Sequence, residues 1–65
     1  MIQLNGEMIS NYEQKTLQDL LTTLNYDKAK IAVEKNGEII PKSQYDTTIL
    51  NENDVIEVVT FVGGG

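Results

Sequence analysis

The sequence contains no cysteine, no histidine and no tryptophan among its 65 residues. Disulfide frameworks, zinc sites, haem attachment, cysteine nucleophiles and serine–histidine triads all require residues that this chain lacks. Any chemistry in which the chain takes part therefore uses carboxylates, lysines, hydroxyls or the chain termini.

Arginine is also absent, and the five lysines stand against ten acidic residues, for a formal net charge of −5 at pH 7. Proteins that bind nucleic acids or anionic membranes gain affinity from basic patches, and these lysines are scattered along the sequence. The composition therefore disfavours both kinds of partner. It suits docking on a basic protein surface, although acidity of this kind also serves solubility alone.

Long apolar runs are missing as well. No window approaches the roughly 18 apolar residues of a membrane span, and Asn5 and Glu7 stand where a signal peptide would need an apolar segment. With 40% hydrophobic and 23% charged residues, the chain has the composition of a small globular domain. We expect a cytoplasmic protein.

Two Asn-Gly dipeptides, at 5–6 and 36–37, each stand between short β-type runs. Asn-Gly favours a hairpin because a type I′ turn needs positive φ at both central positions. Pro41 ends the second hairpin, since proline cannot donate to a sheet. The sequence therefore predicts four strands, at about 1–4, 7–12, 31–33 and 39–40.

Four leucines within 17–24 fall at positions i, i+3, i+4 and i+7, which predicts one apolar stripe on a helix. Thr16 is a good N-cap, and Asp19 three residues later makes a weaker relative of the capping box. Asn25 suits a left-handed C-terminal position. We expect one helix of about ten residues.

The second half of the chain ends in the longest β-type run. Residues 42–48 predict a turn or short 3₁₀ piece, 49–50 a brief extended segment, 51–54 a turn, and 55–62 the last strand. Apolar side chains occupy both faces of that strand, which is typical of a central strand covered on both sides.

Two interpretations of this two-sided strand stay open. In the first, loops and the side chains of 41–50 cover its second face. In the second, Val59 and Phe61 contribute to an exposed apolar patch that a partner protein covers.

The strand runs directly into Gly63-Gly64-Gly65. Taken alone, such a run is more often a disordered end. An extended triglycine nevertheless reaches about 10 Å and can thread a channel too narrow for any side chain. Its one functional group is the α-carboxylate of Gly65, a poor electrophile that ATP would activate by forming an acyl-adenylate.

Short motifs follow one another along the whole chain. They are Asn5-Gly6-Glu7, Thr16-Leu17, Leu20-Leu21, Ala32-Val33 with Asn36, Ile40-Pro41 with Tyr45, Asp54 with Ile56-Glu57, and Gly64-Gly65. Their order and spacing resemble the ThiS family, the sulfur carriers of thiamine biosynthesis. Two departures are Asn53, where the family commonly has glycine, and the third glycine, Gly63.

The resemblance implies an α+β, ubiquitin-like β-grasp fold, with a mixed sheet of about four to five strands packed on one helix. Residues 1–62 would form the single domain and 63–65 a flexible tail. In such carriers a ThiF-type adenylyltransferase uses Mg-ATP to adenylate the terminal glycine. Sulfur drawn from cysteine through a desulfurase then gives a thiocarboxylate, which a ThiG-type thiazole synthase consumes.

On this chain the resemblance makes Gly65 the sulfur attachment site, with Gly63 and Gly64 as the threading tail. Val59, Phe61 and Val62 would dock on the partner. The chain would be a protein co-substrate with no catalytic residue, no metal site and no stably bound cofactor.

Rival interpretations remain. The nearest is the small subunit of molybdopterin synthase, which has the same thiocarboxylate chemistry, and the next is a β-grasp interaction module without covalent chemistry. A single-strand nucleic-acid binder lacks the basic residues that it would need. An enzyme is the least favoured class, because its candidate acid pairs, Asp27 with Glu34 and Glu52 with Asp54, are explained as charged turns and strand edges.

Overall fold

The computed structural model describes residues 1–61. Five strands, one α-helix and two short 3₁₀ helices occur in this part of the chain. In order they are β1 (Ile2–Leu4), β2 (Glu7–Ile9), α1 (Leu17–Thr23), a 3₁₀ helix (Lys28–Lys30), β3 (Ile31–Lys35), β4 (Glu38–Ile40), a second 3₁₀ helix (Lys42–Gln44) and β5 (Val55–Thr60).

The strands form one mixed sheet in the order β2-β1-β5-β3-β4. β5 lies at the centre, parallel to β1 and antiparallel to β3. The hairpins β1–β2 and β3–β4 flank it on either side. The predicted α+β class, with a mixed sheet on one helix, is confirmed.

Both hairpins turn at the predicted Asn-Gly dipeptides. Asn5 and Gly6 have φ values of 48° and 83°, and Asn36 and Gly37 have values of 54° and 83°. Nothing lies within 4 Å of a Cβ built on either glycine. These positions therefore require glycine for its backbone angle rather than for space.

Several boundaries differ from the prediction. β2 ends at Ile9 instead of residue 12, because Asn11 (φ 75°) and Gln14 (φ 70°) turn the backbone into the left-handed region. β5 ends at Thr60, while the run predicted for it continued to Val62, which lies outside the described residues.

Helix α1 has seven residues, shorter than the predicted ten, and its ends are chemically defined. Thr16 Oγ1 accepts from the Asp19 N–H at 3.1 Å, and Asp19 Oδ2 accepts from the Thr16 N–H at 3.2 Å. This is a complete capping box rather than a weaker relative of one. Asn25 follows the helix at φ 62°, as predicted.

The core lies on one face of the sheet, beneath α1. Residues 41–50 cover this same face, so the interpretation that placed them over the second face of β5 is wrong. Leu50 is held there by backbone hydrogen bonds of 2.7 and 2.8 Å to Gln14 and Lys15, just before α1. The buried apolar side chains are Ile2, Leu4, Leu17, Leu20, Leu21, Ile31, Val33, Tyr45, Leu50, Ile56 and Val58.

Candidate functional site: the open sheet face and the end of the central strand

The second face of the sheet is uncovered in residues 1–61, and we call it the open face. Along β5 the side chains alternate: Ile56 and Val58 are buried, whereas Val55 is 37% exposed and Val59 is 55% exposed. Phe61, just beyond the strand, is 52% exposed. Alternation of this kind places the exposed residues on one side of the sheet.

The strand register identifies the neighbours of these residues on the open face. Val59 lies opposite Ala32, and Glu57 lies opposite Glu34. Further out, Glu34 lies opposite Ile39 of β4. On the other flank Gln3 lies opposite both Val55 and Met8. The open face is therefore an apolar surface with a pair of acids near its middle.

Of the three residues predicted to dock on a partner, the structure brings two together. Val59 and Phe61 both lie on the open face, at the end where β5 finishes. Val62 lies outside the described residues, as do Gly63, Gly64 and Gly65 of the predicted tail. The exposed-patch interpretation matches this geometry, and the docking role itself stays a prediction.

The end of β5 is held firmly on both sides. On the β1 side, the Asn5 carboxamide accepts from the Val58 N–H at 2.8 Å and donates to the Val58 carbonyl at 3.2 Å. On the β3 side, the Phe61 N–H donates to the Lys30 carbonyl at 2.7 Å. The position of the chain is thus fixed as far as Phe61.

Three of the five lysines lie near this end of the sheet, although the sequence alone shows them as scattered. Lys28 and Lys30 belong to the 3₁₀ helix that precedes β3. The Lys42 ammonium donates to the Ile31 carbonyl, which follows Lys30 in the chain. The fold therefore sets a basic rim, Lys28, Lys30 and Lys42, near Phe61.

Comparison with known proteins decides the family. The ThiS family model matches residues 1–65. The chain belongs to the ThiS family. The sulfur carrier protein ThiS of Bacillus subtilis is 44% identical over 66 aligned residues that cover all of both chains.

A second relative of this ThiS-family chain is much longer. A thiazole synthase of Paramagnetospirillum magneticum is 44% identical over 62 residues, which cover 95% of this chain and 19% of that protein. The chain thus spans about a fifth of the length of that relative.

The fold of the ThiS family is confirmed by a solved structure. The crystal structure of the thiamine biosynthesis protein ThiS from Geobacter metallireducens matches with a TM-score of 0.78 and 30% identity, covering 98% of this chain and 97% of that one. The predicted ubiquitin-like β-grasp fold is therefore correct for this member.

Three of the four acids in the candidate acid–base pairs, Asp27, Glu52 and Asp54, have structural partners in this ThiS-family fold. Asp54 is 7% exposed. It accepts from the Asn36 carboxamide at 3.0 Å and the Asn51 N–H at 2.8 Å, and the Lys35 ammonium lies 3.8 Å away. Asp27 caps the first 3₁₀ helix by accepting from the Ala29 N–H at 3.0 Å.

Glu52 is engaged at the N-terminus, where its carboxylate accepts a hydrogen bond from the Met1 ammonium. This hydrogen bond raises the pKa of the ammonium above its usual value. The pKa of Glu13, 3.4 Å from the same ammonium, is lowered by its own backbone N–H and by that charge. These acids serve the local structure.

Residues 1–61 form no concave binding site. No cavity opens among residues 1–61, and no group of three potential metal ligands occurs there. Within the same range, no helix has the length and apolar character needed to cross a bilayer. The surface feature that remains is the open face.

Sequence reasoning missed two parts of this site. The opposition of Glu34 and Glu57 depends on the register of two strands that lie more than twenty residues apart. The basic rim depends on a contact between Lys42 and Ile31. Neither has a local sequence signal, because both arise from long-range pairing.

Proposed function

We propose that this chain is a sulfur carrier in thiamine biosynthesis that bears sulfur on its C-terminal carboxyl group. The observation that carries the proposal is the similarity over the full length of both chains to the Bacillus subtilis sulfur carrier. A cytoplasmic location fits a carrier that draws on Mg-ATP.

The chemistry would take place at Gly65. Its carboxylate attacks the α-phosphorus of Mg-ATP on a ThiF-type adenylyltransferase, and pyrophosphate leaves. A desulfurase takes sulfur from cysteine as a persulfide, and a thiol reductant releases it as sulfide and is itself oxidised to a disulfide. The sulfide then attacks the acyl carbon. The bond from carbon to the phosphate oxygen breaks, AMP leaves, and a thiocarboxylate remains. ATP and Mg²⁺ belong to the activating enzyme, and the carrier is a co-substrate rather than an enzyme.

The open face would serve as the docking surface in this proposal. β5 is held on the β1 side at Val58 and the chain on the β3 side at Phe61, so a partner that binds Val59 and Phe61 fixes the point from which the tail starts. Four further residues, fully extended, span at most about 14 Å. Docking near Phe61, together with Val62, would thus bring Gly65 within reach of a reaction centre buried in the partner, with Gly63 and Gly64 threading the approach.

The destination of the sulfur is proposed to be a thiazole synthase. The similarity of this chain to part of a thiazole synthase supports that choice, because carrier and acceptor sequences then occur in one polypeptide. The same observation favours the thiamine route over the small subunit of molybdopterin synthase.

Intact-mass measurement tests the proposal. After incubation with the activating enzyme, ATP and a sulfur source, the chain should become heavier by the mass difference between sulfur and oxygen. Gly65→Val places a side chain beside the reacting carboxyl group and should reduce loading sharply. Deletion of one of the three glycines is the control, since it shortens the tail but leaves a chain that still ends in Gly-Gly, and it should preserve loading. An unchanged mass of the intact chain with competent enzymes would refute the proposal.

A further inference from the structure

Two glutamates face each other at the centre of the open face. Glu34 of β3 and Glu57 of β5 are directly opposite in the antiparallel register. Residues paired in this way have Cβ atoms about 4.5–5.5 Å apart on the same side of a sheet. Two negative charges therefore lie side by side on neighbouring inner strands.

Apolar side chains surround this glutamate pair. Val55 and Val59 lie two residues to either side of Glu57 along β5, and they are 37% and 55% exposed. Ala32 lies opposite Val59, and Ile39, at 70% exposure, lies opposite Glu34 on β4. The two charges are thus set within an exposed apolar surface.

No cation among residues 1–61 neutralises the pair. The ion pairs in that range join the Met1 ammonium to Glu13 and Glu52, and Lys35 to Asp54. Like charges placed directly opposite in a sheet are destabilising. The glutamate pair therefore does not stabilise the free protein.

We propose that Glu34 and Glu57 together receive a cationic side chain of the partner protein, a guanidinium or ammonium group set in an apolar surface. The inference rests on the proposed function, since the partner is taken to be the thiazole synthase. Two adjacent carboxylates can bracket one planar guanidinium. The apolar surround excludes water on docking, which strengthens the attraction between the opposite charges.

This proposal predicts opposite effects on stability and binding for one variant. In Glu34→Gln/Glu57→Gln, loss of the repulsion should raise the melting temperature of the free protein by roughly 2–6 °C. The same change should raise the Kd for the purified thiazole synthase of the same organism about tenfold or more. It should also reduce the dependence of that Kd on salt concentration.

The matched control is Glu7→Gln/Glu38→Gln, which changes the net charge equally. Both residues are exposed strand acids, and their register partners, Leu4 and Lys35, do not belong to the glutamate pair. The control should leave the Kd within about twofold.

Equal weakening by both double variants would show that only net charge matters and would overturn the inference. An unchanged Kd in Glu34→Gln/Glu57→Gln would overturn it as well, as would failure of the wild-type chain to bind the synthase. Loading of Gly65, followed by intact mass, is a separate readout. Normal loading with any of these binding results leaves the proposed chemistry at Gly65 in place.

Discussion

The two faces of the sheet are built from the same five strands but differ in the burial and charge of their side chains. On the core face, apolar residues meet α1 and residues 41–50, and nine of the largest side chains are less than 2% exposed. On the open face, apolar side chains of similar size stay in solvent, and two glutamates stand opposite one another. Packing explains the first face, whereas no element among residues 1–61 covers the second, for which we propose a partner protein.

The largest expected effect comes from truncating equivalent side chains on the two faces of β5. Ile56→Ala leaves a cavity at a fully buried position and should lower the free energy of unfolding by about 2–5 kcal/mol. Val59→Ala, three residues along the strand on the open face, should change it by about 0.5 kcal/mol or less. Chemical denaturation measures both, and similar losses would show that the open face is covered in solution.

The second-largest expected effect on stability comes from Asn5, the turn residue of the β1–β2 hairpin whose side chain supports β5. Asn5→Ala removes both hydrogen bonds to Val58 and places alanine at positive φ, so it should cost about 1–3 kcal/mol. Asn5→Gly loses the same hydrogen bonds without the backbone strain and should cost less. If glycine is the more damaging substitution, the backbone angle is not what selects asparagine here.

Tyr45 gives the core face a pH dependence that the open face should lack. Burial raises the pKa of its hydroxyl above the ordinary value of 10.0. Above pH 10 the unfolded state ionises first, so stability falls as pH rises through the raised folded value. The Lys42 ammonium lies 5.8 Å from the ring centroid.

Tyr45→Phe isolates the contribution of the Tyr45 hydroxyl. The difference in unfolding free energy between wild type and Tyr45→Phe should be constant below pH 9 and should shift in favour of the variant above pH 10. Urea titrations at both pH values measure it, and a pH-independent difference would mean that the hydroxyl is not desolvated.

The smallest expected effect on stability belongs to Phe61→Asp on the open face. Its circular dichroism should match the wild type, while the Kd for the thiazole synthase should rise at least about tenfold. Met8→Asp is the control, because Met8 is 57% exposed on the same face but lies on the far edge strand. Loss of folded signal in Phe61→Asp would place this residue in the core.

Local chemistry made much of the fold predictable. Asn-Gly requires positive φ, and the leucine spacing with Thr16 and Asp19 defines a helix, so the hairpins and α1 follow from short segments. The parallel pairing of β1 with β5 has no such signal, because more than fifty residues separate the partners. Which face of β5 stays open could not be read from a strand that is apolar on both sides.

The site was predictable in its chemistry but not in its charge arrangement. The apolar pattern of the last strand singled out Val59 and Phe61, and the ThiS resemblance gave them a docking role. It also contained Glu57 but gave it no role, because the role depends on Glu34 across the register. The lysines likewise appear scattered in the sequence, and the hydrogen bond from the Lys42 ammonium to the Ile31 carbonyl shows their proximity only in the fold.

The central place of β5 has a consequence for how the molecule forms. The hairpins β1–β2 and β3–β4 are joined within the sheet only through β5, and an isolated two-stranded hairpin is marginal in water. A nascent chain in which β5 has not yet been synthesised contains two unconnected hairpins and a short helix. The pairing of β5 with strands that are distant in the sequence also slows folding. We therefore expect a chain broken before its last strand to lack a stable fold.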